Sequence, residues 1–178
     1  MLKKPSLISN HTIHQDLLDM KSLVYNPCGL ICSQPVKEPE STEYGAHTFI
    51  LNDFSIRFRV AKITPTKIGQ FVTLWKRIGN GPIQPYDISD PVDFFIISTR
   101  KDSNFGQFVF PKSVLSEQGV LSIYGQGGKR GIRVYPPWDQ TLNRQAQNTQ
   151  KWQIKYFIEL SNNSKIVCAR AQMLCLLA

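Results

Sequence analysis

With 178 residues, 42% of them hydrophobic and 19% charged, the chain has the composition of one soluble globular domain with a real core, and it carries no repeat or low-complexity tract. Twenty-one lysines and arginines against thirteen acids leave a formal charge of +8 and a pI near 9.4, a surplus that attracts polyanions. No apolar run reaches the roughly 18 residues of a membrane span, the basic N-terminus lacks a signal peptide's apolar core, and four cysteines read as reduced structural thiols; the expectation is a cytoplasmic protein with no membrane partner.

The spacing of Ile13, Leu17, Met20 and Val24 predicts a helix over 9–25, capped by Ser9 or Asn10 and closed before Pro27. Pro35, Pro39 and the acids Glu38, Glu40 and Glu43 mark a surface connection. The period then falls to two. Segments 48–51 and 55–63 form a hairpin turning at Asn52-Asp53, with Ile56, Phe58 and Val60 on one face and Arg57 and Arg59 on the other. Segments 70–77 and 92–97 are apolar on both faces, which places them inside a sheet covered above and below. Further strands are predicted at 107–110 and 132–135, and a helix over 112–118, behind Pro111 and ended by Gly119. A longer helix over 142–160 is capped by Asp139 or Thr141, and the apolar tail 165–178 docks as a last short helix. Helix, strands, then helix give an α/β fold: a mixed β-sheet flanked by helices.

Two segments are rich in bases and poor in acids. Residues 57–77 hold Arg57, Arg59, Lys62, Lys67, Lys76 and Arg77 with no acid, and residues 129–155 hold Lys129, Arg130, Arg133, Arg144, Lys151 and Lys155 with Asp139 alone. Burying an unpaired arginine costs several kcal/mol, so the Arg57–Arg59 side of the sheet is expected to stay open as a cleft. The two clusters are expected to form one phosphate-contacting face, with Trp138 as a stacking surface and Trp75 in the core. The loop Gly125-Gln126-Gly127-Gly128-Lys129-Arg130-Gly131 reads either as a phosphate cradle or as a flexible turn. It is not a Walker loop, because Ile123 holds the first glycine position and Arg130 replaces the Ser or Thr. Thr64-Pro65-Thr66-Lys67 reads as a proline-shaped turn or as a phosphate perch. His11, His14 and His47 read as solvent-exposed, and no nucleophile elbow or dinucleotide fingerprint is present.

The run from Arg59 to Arg77 (RVAKITPTKIGQFVTLWKR) resembles the signature of the MepB family. So do GQFVFPK from Gly106, GKRGIRVYPPW from Gly128, and Gln145-Ala146-Gln147 with Lys151-Trp152-Gln153. The resemblance spans 40–160 most strongly, within one domain over 1–178. It implies a restriction-endonuclease-like, PD-(D/E)XK core. In that motif an acid opens one strand, and an acid and a lysine two residues apart share one face of the next, where carboxylates hold Mg²⁺. Here the triplet is Val60-Ala61-Lys62, with valine where the acid belongs, and Asp53 sits in an Asn-Asp turn that accounts for it. No catalytic residue, metal ligand or cofactor is therefore assigned. The implied function is a non-catalytic nucleic-acid-binding protein. It would grip single-stranded DNA, RNA or duplex DNA through Arg57, Arg59, Lys62, Lys67, Lys76, Arg77, Lys129, Arg130, Arg133 and Trp138. Two alternatives stand beside it: a metal-dependent nuclease whose acids come from Glu43, Asp53 or Asp93, and a protein-binding regulator linked to a drug-resistance gene cluster.

Overall fold

The computed structural model describes residues 12–176. Helix α1 (Gln15–Met20) opens at His14, whose Nδ1 accepts the Asp16 N–H at 3.1 Å, and runs into a wider helical turn, Lys21–Tyr25. The caps expected at Ser9 and Asn10 lie outside the described residues. Strand β1 (Val36–Lys37) and a short 3₁₀ turn at Thr42–Tyr44 lead to β2 (His47–Leu51) and β3 (Phe54–Val60). The β2–β3 hairpin turns at Asn52 and Asp53, both left-handed, as a tight turn of this hand requires. Next come β4 (Lys62–Thr64), β5 (Lys67–Thr73), β6 (Trp75–Arg77) and β7 (Ile83–Pro85). They are followed by β8 (Phe94–Lys101), β9 (Asn104–Pro111), α2 (Lys112–Glu117), β10 (Gly131–Val134) and α3 (Arg144–Gln153). The chain ends with a 3₁₀ turn at Ile154–Tyr156, β11 (Phe157–Glu159) and α4 (Ser164–Leu174).

Six strands form the main sheet in the order β1-β2-β3-β8-β9-β11; β3 and β8 are parallel and the other neighbours antiparallel, so the sheet is mixed. A three-stranded sheet, β10-β5-β4, and the β6–β7 hairpin pack beside it. Along β8, period-two alternation divides the core. Phe94 and Ile96 join Leu17, Met20 and Val24 of the first helical segment and Val167, Ala171 and Leu174 of α4. Phe95 and Ile97 join Val72, Ile132 and Val134 of the smaller sheet, Leu74 just after β5, and Leu115 of α2. The sheet is thus covered on both faces, as expected for strands apolar on both sides.

Several expectations change. The helix predicted over 142–160 is shorter: Asn143 caps it, its Oδ1 accepting the Ala146 N–H at 2.9 Å, and residues beyond Gln153 turn into β11. Phe157 enters one core and Ile158 the other, an opposition that a strand supplies and a helix does not. The strand predicted at 70–77 divides at Leu74, whose N–H donates to the Arg130 carbonyl. Finally, the cysteines are not all reduced: Cys28 and Cys168 are disulfide-bonded, tying the end of the first helical segment to α4, while Cys32 and Cys175 are free.

Candidate nucleic-acid interface

Alternation along β3 does turn Arg57 and Arg59 away from Ile56 and Phe58, but Arg59 is sealed, with 1% of its surface exposed. Its guanidinium lies 2.6 Å from Glu38 Oε2 and donates to the Tyr86 hydroxyl at 3.2 Å and the Phe58 carbonyl at 2.9 Å. Arg57 Nε lies 3.5 Å from the other Glu38 oxygen. Lys76 is paired with Asp90, and Arg77 with Glu40 at 2.7 Å. Four bases of the first cluster therefore meet acids that lie outside residues 57–77. Together with Glu38, Glu40 and Asp90 they line one pocket of about 370 Å³. Trp75, expected in the core, is half-buried on its wall.

The other bases lie elsewhere. Lys62 is exposed, its ammonium 4.7 Å above the Tyr44 ring. Lys67 opens β5, and the β5–β10 ladder, from Gly131↔Thr73 to Val134↔Gln70, brings Lys129 and Arg133 to the same side. These three line a cleft of about 700 Å³ between the small sheet and α3, together with Asn143, Gln145, Thr149 and the half-buried aromatics Tyr135 and Trp152. No acid lines it. Arg133 is fixed by donating to the Gly69 carbonyl at 3.0 Å, and Gln153 stitches α3 to β10, accepting the Tyr135 N–H at 2.8 Å and donating to the Arg133 carbonyl at 3.0 Å. A side groove carrying Arg144 shares Gln145, Thr149 and Trp152 with this cleft. A second cleft, of about 550 Å³ and carrying Lys101, Trp138 and Asp139, shares Thr66, Lys67 and Ile68 with it. The β4–β5 hairpin tip, Pro65-Thr66, is thus a ridge between two clefts. Arg130 stands exposed on the loop preceding β10.

The expected single face is therefore not formed. The arginine pocket shares no lining residue with the three connected clefts, and Glu38, Glu40 and Asp90 pair with its bases from within. The glycine-rich loop is neither a loose turn nor an open cradle. The Asp87 carboxylate accepts from the Ser122 hydroxyl at 2.6 Å and the Gly125 N–H at 2.9 Å, and the Lys129 N–H donates to the Val120 carbonyl. The bonds from Ser122, Gly125 and Ser89 hold the Asp87 carboxyl well below the usual carboxylate range. His47 is buried rather than exposed, its Nδ1 2.8 Å from the Gly45 carbonyl, and burial pushes its pKa down.

The nuclease-like triplet is interrupted in space as well as in sequence. Val60 closes β3 in the main sheet, Lys62 opens β4 in the smaller one, and Ala61 between them donates to the Ser98 carbonyl. Of the alternative acids, Asp53 and Glu43 are exposed, and Asp93 accepts the Ser55 N–H at 2.7 Å. Among the described residues no three His, Cys, Asp or Glu side chains converge as a metal site. The sequence reading missed Lys101 and the amide-rich wall of α3; the signal for that wall was a run from Gln140 to Ile158 with no acid.

Fold and site together define a basic α/β protein with a mixed sheet and an acid-free polar cleft. The chain belongs to the MepB-like family, whose model matches residues 38–159. It is similar to a structure described as the crystal structure of MepB, with 37% identity, a TM-score of 0.71, and coverage of 74% of this chain and 89% of that one. A bacterial homing endonuclease, I-Ssp6803I, matches with 16% identity and a TM-score of 0.43, covering 80% of this chain and 86% of its own. No curated protein matches the chain. Among the described residues no helix is long and apolar enough to cross a membrane.

Proposed function

We propose that this protein binds nucleic acid along the three connected clefts and does not cleave it. The observation that carries this reading is the 700 Å³ cleft: Lys67, Lys129 and Arg133 line it without a single acid, whereas the arginine pocket is internally neutralised. Cations without a neighbouring acid displace condensed counterions when they meet phosphates, which is the dominant source of sequence-independent affinity. Tyr135 and Trp152 in the same wall favour single strands, whose unpaired bases stack on aromatic faces. Cleavage lacks its scaffold, because Val60 coordinates nothing and Lys62 belongs to another sheet.

The test is a titration of labelled single-stranded DNA, duplex DNA and RNA of equal length across a salt series. Affinity is expected to fall linearly on a logarithmic scale, and Lys67→Ala with Lys129→Ala to reduce the slope by roughly 0.7–0.9 for each phosphate left without its cation. Affinity indifferent to salt, or unchanged in the double variant, overturns the binding reading. Mg²⁺-dependent cleavage that EDTA abolishes overturns the non-catalytic one.

A further inference from the structure

The second cleft holds polar atoms that the fold leaves unmet. Gln70 and Asp139, both more than nine-tenths buried, and the half-buried Trp138 all line it. Among the described residues Gln70 Oε1, Asp139 Oδ2 and Trp138 Nε1 have no hydrogen-bond partner. Their other atoms are fixed. Gln70 Nε2 donates to the Arg100 carbonyl at 3.1 Å, so its oxygen is held as an acceptor. Asp139 Oδ1 accepts from the Lys101 ammonium at 3.2 Å, and the Asp139 backbone carbonyl accepts from Gln150 Nε2 at 2.8 Å. The Trp138 ring packs edge-on against Phe157, 5.5 Å between centroids. Buried polar groups are nearly always paired, and three of the eight buried side-chain atoms without a partner among the described residues belong to residues that line this one cleft.

We infer that this cleft takes an unpaired guanine, a proposal that rests on the nucleic-acid reading above and names the base it selects. The unmet set is two acceptors and one donor. Guanine's pairing edge offers two adjacent donors, the ring N–H and the 2-amino group, beside one acceptor, the 6-oxygen. Cytosine presents two acceptors and one donor, uracil and thymine two acceptors around one donor, and adenine one of each, so none of them satisfies the set. The exposed faces of Ile63, Pro65 and Ile68 supply an apolar wall for the ring. Lys101 is exposed and keeps Asp139 Oδ1 occupied, so Oδ2 is the carboxylate oxygen that still lacks a partner. Lys67 lines both this cleft and the basic one, so a strand whose phosphates follow the basic cleft delivers a base across the hairpin ridge.

The experiment measures fluorescence anisotropy with an oligo-dT strand and with the same strand carrying one central dG, dA or dC, and titrates GMP separately by calorimetry. The dG strand is expected to bind about tenfold more tightly than the others, the discrimination of one well-met base edge. Asp139→Asn converts an acceptor to a donor and Trp138→Phe removes the N–H but keeps the ring; both are expected to abolish the preference, so that the dG strand binds each variant no more tightly than oligo-dT does. A preference for dG that survives both variants overturns the assignment of these atoms. Equal, salt-sensitive binding of all four strands overturns the guanine pocket and leaves the nucleic-acid reading standing. GMP binding that Asp139→Asn abolishes, with no strand bound, keeps the pocket, makes its ligand a free nucleotide and overturns the nucleic-acid reading. Binding of neither strands nor GMP overturns both.

Discussion

Arg59 and Glu38 form an ion pair at 2.6 Å inside the protein, although the arginine comes from the middle of β3 and the glutamate from a surface connection. Removing one member of a buried pair leaves the other charge unmet, which costs about 3–5 kcal/mol. Glu38→Gln is expected to lose stability on that scale. Glu40→Gln, whose partner Arg77 is more than a third exposed, is expected to lose less than about 1 kcal/mol. Urea denaturation of the two variants decides the matter, and equal losses would show that Arg59 is stabilised by something other than Glu38.

The same pairing separates structural from ligand-binding bases. Arg57→Gln removes a cation already opposed by Glu38 and is expected to leave the salt slope of nucleic-acid binding unchanged. Lys129→Ala, in the acid-free cleft, is expected to lower it by roughly 0.7–0.9. Parallel titrations of both variants over one salt series measure this, and a larger effect from Arg57→Gln would move the binding surface to the arginine pocket.

Asp87 links acidity to the glycine-rich loop. Its carboxyl is held below the usual range chiefly by the Ser122 hydroxyl, then by the Gly125 N–H and the Ser89 backbone N–H and hydroxyl. A depressed folded-state pKa means that the charged form is the one folding favours. Its contribution is complete above the unfolded carboxylate pKa, near 4, and is lost as pH falls below that value. Melting temperature measured from pH 6 to pH 3 is expected to fall less steeply in Asp87→Asn than in wild type. Parallel curves would show that Asp87 plays no part in acid sensitivity.

The Cys28–Cys168 bond closes the chain over a separation of 140 residues. Constraining so long a loop in the unfolded state is worth up to about 5 kcal/mol. A reductant is expected to lower the denaturation midpoint of wild type accordingly. Cys168→Ser should reproduce the reduced value and no longer respond. A wild-type midpoint indifferent to reductant would refute the contribution of the bond.

Much of the fold is readable in the sequence because local periodicity and tertiary demand agree. The Asn52-Asp53 turn, the double-faced strand expected at 92–97 and found at Phe94–Lys101, the helix ended by Gly119 and the docked tail all follow from short-range rules. The errors share one cause, which is information carried between distant segments. Counting acids within residues 57–77 overlooks Glu38, Glu40 and Asp90, which reach those bases through space. The stripe that suggests a longer helix near Tyr156 gives way to pairing with β9, since Phe157 and Ile158 fill opposite cores. Cys28 and Cys168 carry no spacing signal at all. At the site, Lys67, Lys129 and Arg133 are legible as bases in acid-poor segments; their separation from Arg57 and Arg59 depends on the strand order.

The helical layer over Phe94 and Ile96 has a bearing on how this protein can be divided. Leu17, Met20 and Val24 come from before the family-matched segment, residues 38–159, and Val167, Ala171 and Leu174 from after it. A fragment cut at the family boundaries would keep every strand of all three sheets except β1, together with the clefts. It would also leave Ile56, Phe58, Phe94, Ile96 and Val109 facing water as one greasy slab. Patches of that kind drive clumping rather than solubility. The segment that the family model matches is therefore narrower than the packed core of this chain, and the flanking arms, bolted together by Cys28 and Cys168, act as a lid on an otherwise unfinished interior.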